Sequence, residues 1–360
     1  MTSQADHVRR CLVLCGLSLV LVSFLARPLG AQTITPVMTG LDAPRGLAWG
    51  PEGGLYVTEA GTGVSTGPCT PVAVGNNCYS ETGKVSRLFH GEQERVATGL
   101  PSIFNTQRGD IVGPNDISFQ GRGSAFVTIG WGGRPTLRAN LGPVGSKVGA
   151  LLKLEPSGRW RLDADISDFE AAHNPAGGPV DSNPYGVLVD GGDKYVTDAG
   201  GNSLLKVAAN GDVSLVAVFA PVSAPAPFNT AEAVPTEVEI GPDGALYVSE
   251  LTGAPFTAGA AGIYRVVPGQ TPQLVQGGFK AVIDFTFGPD GSMYVLEHST
   301  APMFFGAPGR LTRIAPNGTR TVITTALNRP TSVLLGDDGA IYVSNNGVSV
   351  GTGQVLRILP

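Results

Sequence analysis

Between Ala43 and Pro360 one short pattern recurs six times, and no other feature of the 360-residue chain restricts its fold as much. An apolar residue, a tight turn and an aromatic anchor follow one another from Leu47 to Tyr56, Ile117 to Phe126, Val187 to Tyr195, Val238 to Tyr247, Phe285 to Tyr294 and Val333 to Tyr342. The spacings are 9, 9, 8, 9, 9 and 9 residues. Turns such as Gly241-Pro242-Asp243-Gly244 and Gly288-Pro289-Asp290-Gly291 supply the backbone angles that short hairpins need. After each anchor comes a third strand with one basic residue among apolar neighbours: Arg87, Lys153, Lys206, Arg265, Arg313 and Arg357. Its distance from the anchor varies from 11 to 31 residues. A short-stranded unit of this kind cannot bury its own faces and must stack on its neighbours. The pattern therefore predicts an all-β, six-bladed β-propeller of four-stranded antiparallel blades.

The sixth copy stops after its third strand, so its outer strand must come from elsewhere. Val37-Met38-Thr39-Gly40-Leu41 matches Val96-Ala97-Thr98-Gly99-Leu100 at the end of the first copy. The N-terminal strand is expected to close the ring as the outer strand of the last blade, leaving no free sheet edge. Residues 32–360 then form a single domain.

Residues 1–31 read as a signal peptide. Arg9 and Arg10 precede an apolar run from Cys11 to Ala26, and Gly30-Ala31 offer a cleavage point before Gln32. A secreted or periplasmic protein is expected, with no membrane span after cleavage. Cleavage takes three basic and one acidic residue from totals of 24 and 29, which leaves a net charge of −7. A mildly acidic surface argues against nucleic acid as a partner. Cys69 and Cys78 are the two cysteines left, nine positions apart, and read as one disulfide in an exported chain.

Loop lengths point to the working face. The long insertions of the first three copies all fall where the second strand leaves for the third and where one blade passes to the next. A small molecule, a glycan or a protein is the expected partner there. The residues opening the innermost strand are Gly46, Asp116, Gly186, Glu237, Asp284 and Ser332, and those ending the second strand are Glu59, Ile129, Asp198, Glu250, Glu297 and Asn345. Seven carboxylates are thus expected around the channel mouth. Arg45, Glu59, Asn183, Tyr185, Asp198, Glu250, Glu297 and His298 form the candidate ligand-binding set. Asn115, Asp116, Glu237 and Asp284 form a candidate ring for Ca²⁺ or another hard divalent cation. A wet, polar channel lining is the alternative reading of the same residues.

No residue is assigned a catalytic role. The histidines lack zinc spacing, and the two Gly-x-Ser-x-Gly strings around Ser65 and Ser349 have no following helix to make a nucleophile elbow. Basic residues and anchors present in every copy are read as structural. The acidic run Asp163, Asp165, Asp168 and Glu170 is expected to be a solvated connection.

Two resemblances add to this reading. Pro114-Asn115-Asp116-Ile117 resembles the Pro-Asn-Gly start of a strand in calcium-dependent lactonases of the gluconolactonase/regucalcin family, with Asp116 in place of the glycine and Arg45-Gly46 where that family has a metal-binding glutamate. It implies an alternative function, a metal-dependent lactonase or esterase-type hydrolase. The longer strings Gly113 to Gly123, Gly177 to Gly186, Thr197 to Lys206 and Pro235 to Phe256 look like the ScyD/ScyE family of exported propellers. That likeness implies an exported six-bladed propeller and no particular reaction.

A non-reduced digest of the exported protein is expected to yield a peptide linked through Cys69 and Cys78; two thiols open to alkylation in the native protein would refute the pairing.

Overall fold

Each copy of the repeat folds into one four-stranded antiparallel sheet in the computed structural model, which describes residues 33–300 and 308–359. The signal-peptide reading of residues 1–31 lies outside the described residues. From the channel outward, strands a to d of blade one are Pro44–Trp49, Leu55–Glu59, Asn76–Phe89 and Glu92–Asn105, and those of blade two are Pro114–Gln120, Ser124–Ile129, Ala150–Leu154 and Trp160–Asp165. Blade three has Pro184–Asp190, Asp193–Asp198, Ser203–Val207 and Val213–Val218; blade four has Pro235–Ile240, Leu246–Glu250, Ala261–Val266 and Gln273–Phe279. Blade five has Val282–Phe287, Met293–Glu297, Gly309–Ile314 and Arg320–Leu327. Blade six takes Ser332–Leu335, Ile341–Asn345 and Gly353–Leu359 from the end of the chain and Thr33–Leu41 from the beginning, with Thr33 opposite Leu359 and Thr35 opposite Arg357. The ring is closed by the N-terminal strand, as the matching pentapeptides predict.

The core lies between the blades. The residue after each aromatic anchor is a valine, and Val57, Val127, Val196, Val248, Val295 and Val343 are all fully buried. Each such side chain contributes about 1.5–3 kcal/mol of burial. The anchors pack across the blade junctions: Trp49 meets Tyr342 edge-on at 5.2 Å, Phe119 meets Tyr56 at 4.8 Å and Phe287 meets Tyr247 at 5.1 Å.

The strand c basic residues are structural, and their partners are carboxylates in the a–b turn of the same blade. Arg87 pairs with Glu52 at 2.9 Å, Lys206 with Asp193 at 2.6 Å, Arg265 with Asp243 at 2.6 Å, Arg313 with Asp290 at 2.6 Å and Arg357 with Asp338 at 2.7 Å. In blade two Lys153 instead lies over the Phe126 ring at 5.7 Å. These half-exposed pairs fasten the hairpin turn more than they add stability.

A second repeat lies in the hydroxyl-bearing residues of strand b. Two positions beyond the anchor stand Thr58, Thr128, Thr197, Ser249 and Ser344, all fully buried, with Leu296 in blade five. Thr128 Oγ1 accepts from Asp116 N at 3.1 Å and donates to the Tyr185 carbonyl of blade three. Thr197 Oγ1 accepts from Gly186 N at 2.8 Å and donates to the Thr236 carbonyl of blade four at 2.5 Å. Thr58 donates to the Asn115 carbonyl at 3.2 Å, which joins blades one and two. Between blades six and one, Thr331 donates to the Pro44 carbonyl at 2.7 Å.

The insertion after Tyr56 is ordered by strand pairing and by the disulfide. Strands c and d of blade one run 14 residues each and rise above the loop-rich face as a tongue, on which Cys69–Pro71 adds a further short strand. Cys69 and Cys78 are directly opposed there and bonded, with Cα atoms 4.0 Å apart. Tyr79 and Ile103 of the tongue are buried in one cluster with Trp131 and Leu141 of blade two, and this packing organises a segment that lacks a clear apolar alternation. The long loop of blade two carries a 3₁₀ segment, Pro135–Lys147, and the connection to blade three carries the helix Ile166–His173, capped by Asp165. Among the described residues no helix is long and apolar enough to cross a membrane.

Removing residues 33–41 is expected to lower the melting temperature and promote aggregation through the bared Gly353–Leu359 strand, whereas unchanged stability and solubility would contradict closure by this strand. Replacing Thr128 by Val leaves two buried backbone groups unpaired and is expected to cost about 1–3 kcal/mol per group in denaturant unfolding.

Candidate functional site

Strand a of every blade lines the channel, and alternation along the strand puts residues two positions apart on the channel side. The first tier holds Asp116, Glu237 and Asp284 among Gly46, Gly186 and Ser332. Asp116 Oδ2 accepts from Val187 N of the next blade at 2.8 Å, and Asp284 Oδ2 accepts from Val333 N at 2.8 Å. Ser332 Oγ accepts from Leu47 N at 3.1 Å. Each acid leans over a small neighbour. A Cβ on Gly46 would lie 2.1 Å from Asp116 Oδ1, and one on Gly186 would lie 3.2 Å from Glu237 Oε1.

The second tier adds Glu239, a residue absent from the sequence-based set although it stands two positions beyond Glu237 on the same strand face. Burial pushes Glu239 up to about 7, with the Asp116 charge adding to the shift. Asp116 is likewise pushed up to about 7 by burial, against the backbone N–H groups of Val187 and Ile117. Glu237 and Asp284 are raised well above the carboxylate range, first by burial and then by the neighbouring acids. Near neutral pH this channel stores protons.

Arg45 and Tyr185 stand at the same place. The Tyr185 hydroxyl is buried, lies within electrostatic reach of Arg45, Asp284, Glu237 and Asp116, and has no hydrogen-bond partner. Arg45 spends Nη2 on the Ile111 carbonyl at 2.9 Å, while its buried Nε has no partner. His298 is buried beside Arg45 and Arg329; Nδ1 is 2.9 Å from the Pro330 carbonyl and burial pushes the imidazole down to about 4, so it is neutral at pH 7.

The other candidates are held apart from this group. Glu59 accepts from Asp42 N and Ser86 Oγ, both at 2.6 Å. Asp198 accepts from Asn183 N, Gly200 N, Gly201 N and Ser182 Oγ. Glu297 accepts from Lys280 N at 2.9 Å and pairs with Arg310 at 2.5 Å. Asn345 accepts from Asn328 N at 2.7 Å, so the strand b ends fasten the loops leading into strand a. Glu250 bonds Tyr264, and burial lifts it to about 8. Asn183 Oδ1 accepts from Trp131 N at 3.1 Å.

Nor do the four residues expected to ring a cation present a ready ligand set. Asn115 turns its amide to the Pro184 carbonyl at 2.8 Å, and Asp116 and Asp284 are engaged by backbone N–H groups. Among the described residues no three His, Cys, Asp or Glu side chains gather so as to hold a metal ion. A cavity of about 560 Å³ between blades one and two, lined by Tyr56, Phe119 and Arg87, opens on the opposite, short-turn face and shares none of these groups.

The acidic run before blade three departs from expectation. Asp165 pairs with Arg138 at 2.8 Å, Asp163 with Lys194 at 3.0 Å, and Glu170 is 1% exposed; Asp168 alone of the four is exposed. The helix, with Asp165 as its cap, turns Glu170 inward.

Glu239 is protonated more readily in the folded than in the unfolded state, so the stability it lends is complete below about pH 4 and is lost as pH rises toward about 7. Replacing Glu239 by Gln is expected to raise the melting temperature at pH 8 and to leave it unchanged near pH 4; parallel wild-type and variant curves would contradict the buried-acid assignment.

No protein-family model and no curated protein matches the sequence. Solved structures match its fold. A gluconolactonase from Xanthomonas campestris is 10% identical, with 92% of this chain and 91% of that one covered and a TM-score of 0.52. A protein of unknown function from Bacteroides thetaiotaomicron is 9% identical over 91% of this chain and 76% of its own, with a TM-score of 0.56. Virginiamycin B lyase from Staphylococcus aureus is 12% identical over 91% of this chain and 99% of its own, with a TM-score of 0.50. At such identities the likeness is one of six-bladed propeller architecture.

Proposed function

We propose that the chain is an exported propeller of the ScyD/ScyE kind that binds a hydroxyl-rich small molecule at the channel mouth on its loop-rich face. One observation carries this reading: Arg45 Nε and the Tyr185 hydroxyl are buried without partners beside carboxyl groups that hold protons near neutrality. An unsatisfied buried donor costs about 1–3 kcal/mol, and a polar ligand that pairs with it recovers that cost. Protonated carboxyls both donate and accept, as hydroxyl groups do, so the lining suits a polyol or sugar. The Cys69–Cys78 bond supports export to an oxidising compartment.

A second reading, hydrolysis of a lactone or ester, has its own support. Asp116 and Glu239, both lifted to about 7, are matched to general acid–base work at neutral pH, and Tyr185 stands within reach of the first. The gluconolactonase from Xanthomonas shares the architecture. Calcium enters either reading as a separate proposal, tested by elemental analysis before and after chelation.

Calorimetric titration with D-glucose, myo-inositol and D-gluconate is expected to show saturable binding that weakens about tenfold in Tyr185→Phe and in Arg45→Gln. Absence of binding by all three would overturn the polyol reading. Turnover of glucono-1,5-lactone that disappears in Glu239→Gln would replace it by the hydrolytic one.

A further inference from the structure

We propose that the loop-rich face carries a second site, between the tongue of blade one and the connection to blade three, which takes a primary amine on an apolar stem. A pocket of about 440 Å³ opens there, with Val72 and Val74 of the tongue on one wall, Leu137 of the 3₁₀ segment on another, and Asp181 among its lining. Asp181 Oδ1 is buried and has no hydrogen-bond partner. Three further acids back it. Asp198 is fully buried, and Glu232 is bonded to Asn202 at 2.5 Å. Glu170, 1% exposed, has no partner for either carboxylate oxygen. Glu170 is aimed into this group, since a Cβ on Gly201 would meet Glu170 Oε2 at 2.8 Å and Asp198 Oδ2 at 3.1 Å.

The Arg108 guanidinium on the pocket wall favours the charged form of Asp181, and Glu170 behind it is lifted to about 8, so Asp181 is the acid that carries charge here. Arg108 is paired with Asp110 at 2.9 Å, and Arg134 is exposed at the rim. Burial, with repulsion from Asp198, lifts Asp181 only to about 6, so it is ionised at pH 7.5. Asp181 Oδ1 is the oxygen left without a donor, and an ammonium group supplies three N–H donors in a compact charge. A bare metal ion is the poorer occupant, because among the described residues no three acids converge as ligands. The walls select the remainder of the ligand: Val72, Val74 and Leu137 offer aliphatic contact to a stem of several methylenes. Val72 and Val74 lie between Cys69 and Cys78, so the disulfide holds that wall in place.

This site shares no residue with the channel mouth and stands independently of the function proposed for it. The test is calorimetric titration of the full mature chain at pH 7.5 with n-hexylamine, hexan-1-ol and hexanoate. Hexylamine is expected to bind saturably, the alcohol and the acid about tenfold more weakly or not at all, and Asp181→Asn to abolish the preference. Val74→Trp, at an exposed rim position, is expected to fill the pocket and block hexylamine, and it keeps the test open if Asp181→Asn fails to fold. Tyr185→Phe is expected to alter polyol binding but not amine binding. Equal affinity for hexylamine and hexan-1-ol, unchanged hexylamine binding in Asp181→Asn, or no saturable binding at millimolar amine would each overturn the proposal.

Discussion

Buried hydroxyl groups on the second strand of most blades settle how closely neighbouring blades approach, and much else in the ring follows from that distance. The inner strands of adjacent blades splay too far for a regular ladder, yet their N–H and C=O groups face away from solvent and need partners. Thr128 and Thr197 each serve two: an N–H of the blade's own inner strand and a carbonyl of the next. A hydroxyl suits the task because it donates and accepts at once, whereas an amide or carboxylate would be too long for the gap. With the strands held this near, Gly46 and Gly186 are required, since a Cβ would overlap Asp116 at the first and the Thr236 carbonyl at the second.

The same closeness sets the electrostatics. Acids that would be ordinary on a surface are drawn into a narrow channel, where burial exceeds every other influence on Asp116, Glu239 and Asp284. Their backbone bonds to Val187 and Val333 favour the charged form but do not offset the lost hydration. Asp42, near the end of the N-terminal strand, shows the contrasting arrangement. It is buried but ion-paired with Lys84, and its carboxylate also accepts from Gly351 N at 2.9 Å. The channel acids have no such ion pair, and their charges reach the buried Tyr185 hydroxyl together with that of Arg45.

Much of the architecture was legible in the sequence because it repeats. The spacing from Leu47 to Tyr56 and its five counterparts, the basic residue facing each anchor, the borrowed strand and the cysteine pair all follow from local chemistry copied round the ring. The site was legible in part. Asp116, Glu237 and Asp284 could be placed at the channel because they open the innermost strand, and Glu239 was within reach of the same alternation. Glu59, Asp198 and Glu297 belong to an equally regular position, but sequence periodicity does not say whether a carboxylate faces a cavity or the N–H of its own loop. The tongue and the pocket under it were out of reach for a different reason. Tyr79 and Ile103 pack on Trp131 and Leu141 of the next blade, and a contact made once, across an unrepeated insertion, leaves no period to read.

The borrowed strand also fixes an order of events in time. Thr35 and Arg357 lie 322 positions apart and are bonded in the last blade. Contacts so distant along the chain are late and slow to form, because the intervening segment must first become compact. Blades one to five are each built from consecutive strands, but Thr33–Leu41 has no place in a sheet until Gly353–Leu359 is available. During that interval the growing chain carries an unmatched edge, open to any other strand nearby. Closure of the ring and protection of that edge are therefore one and the same event.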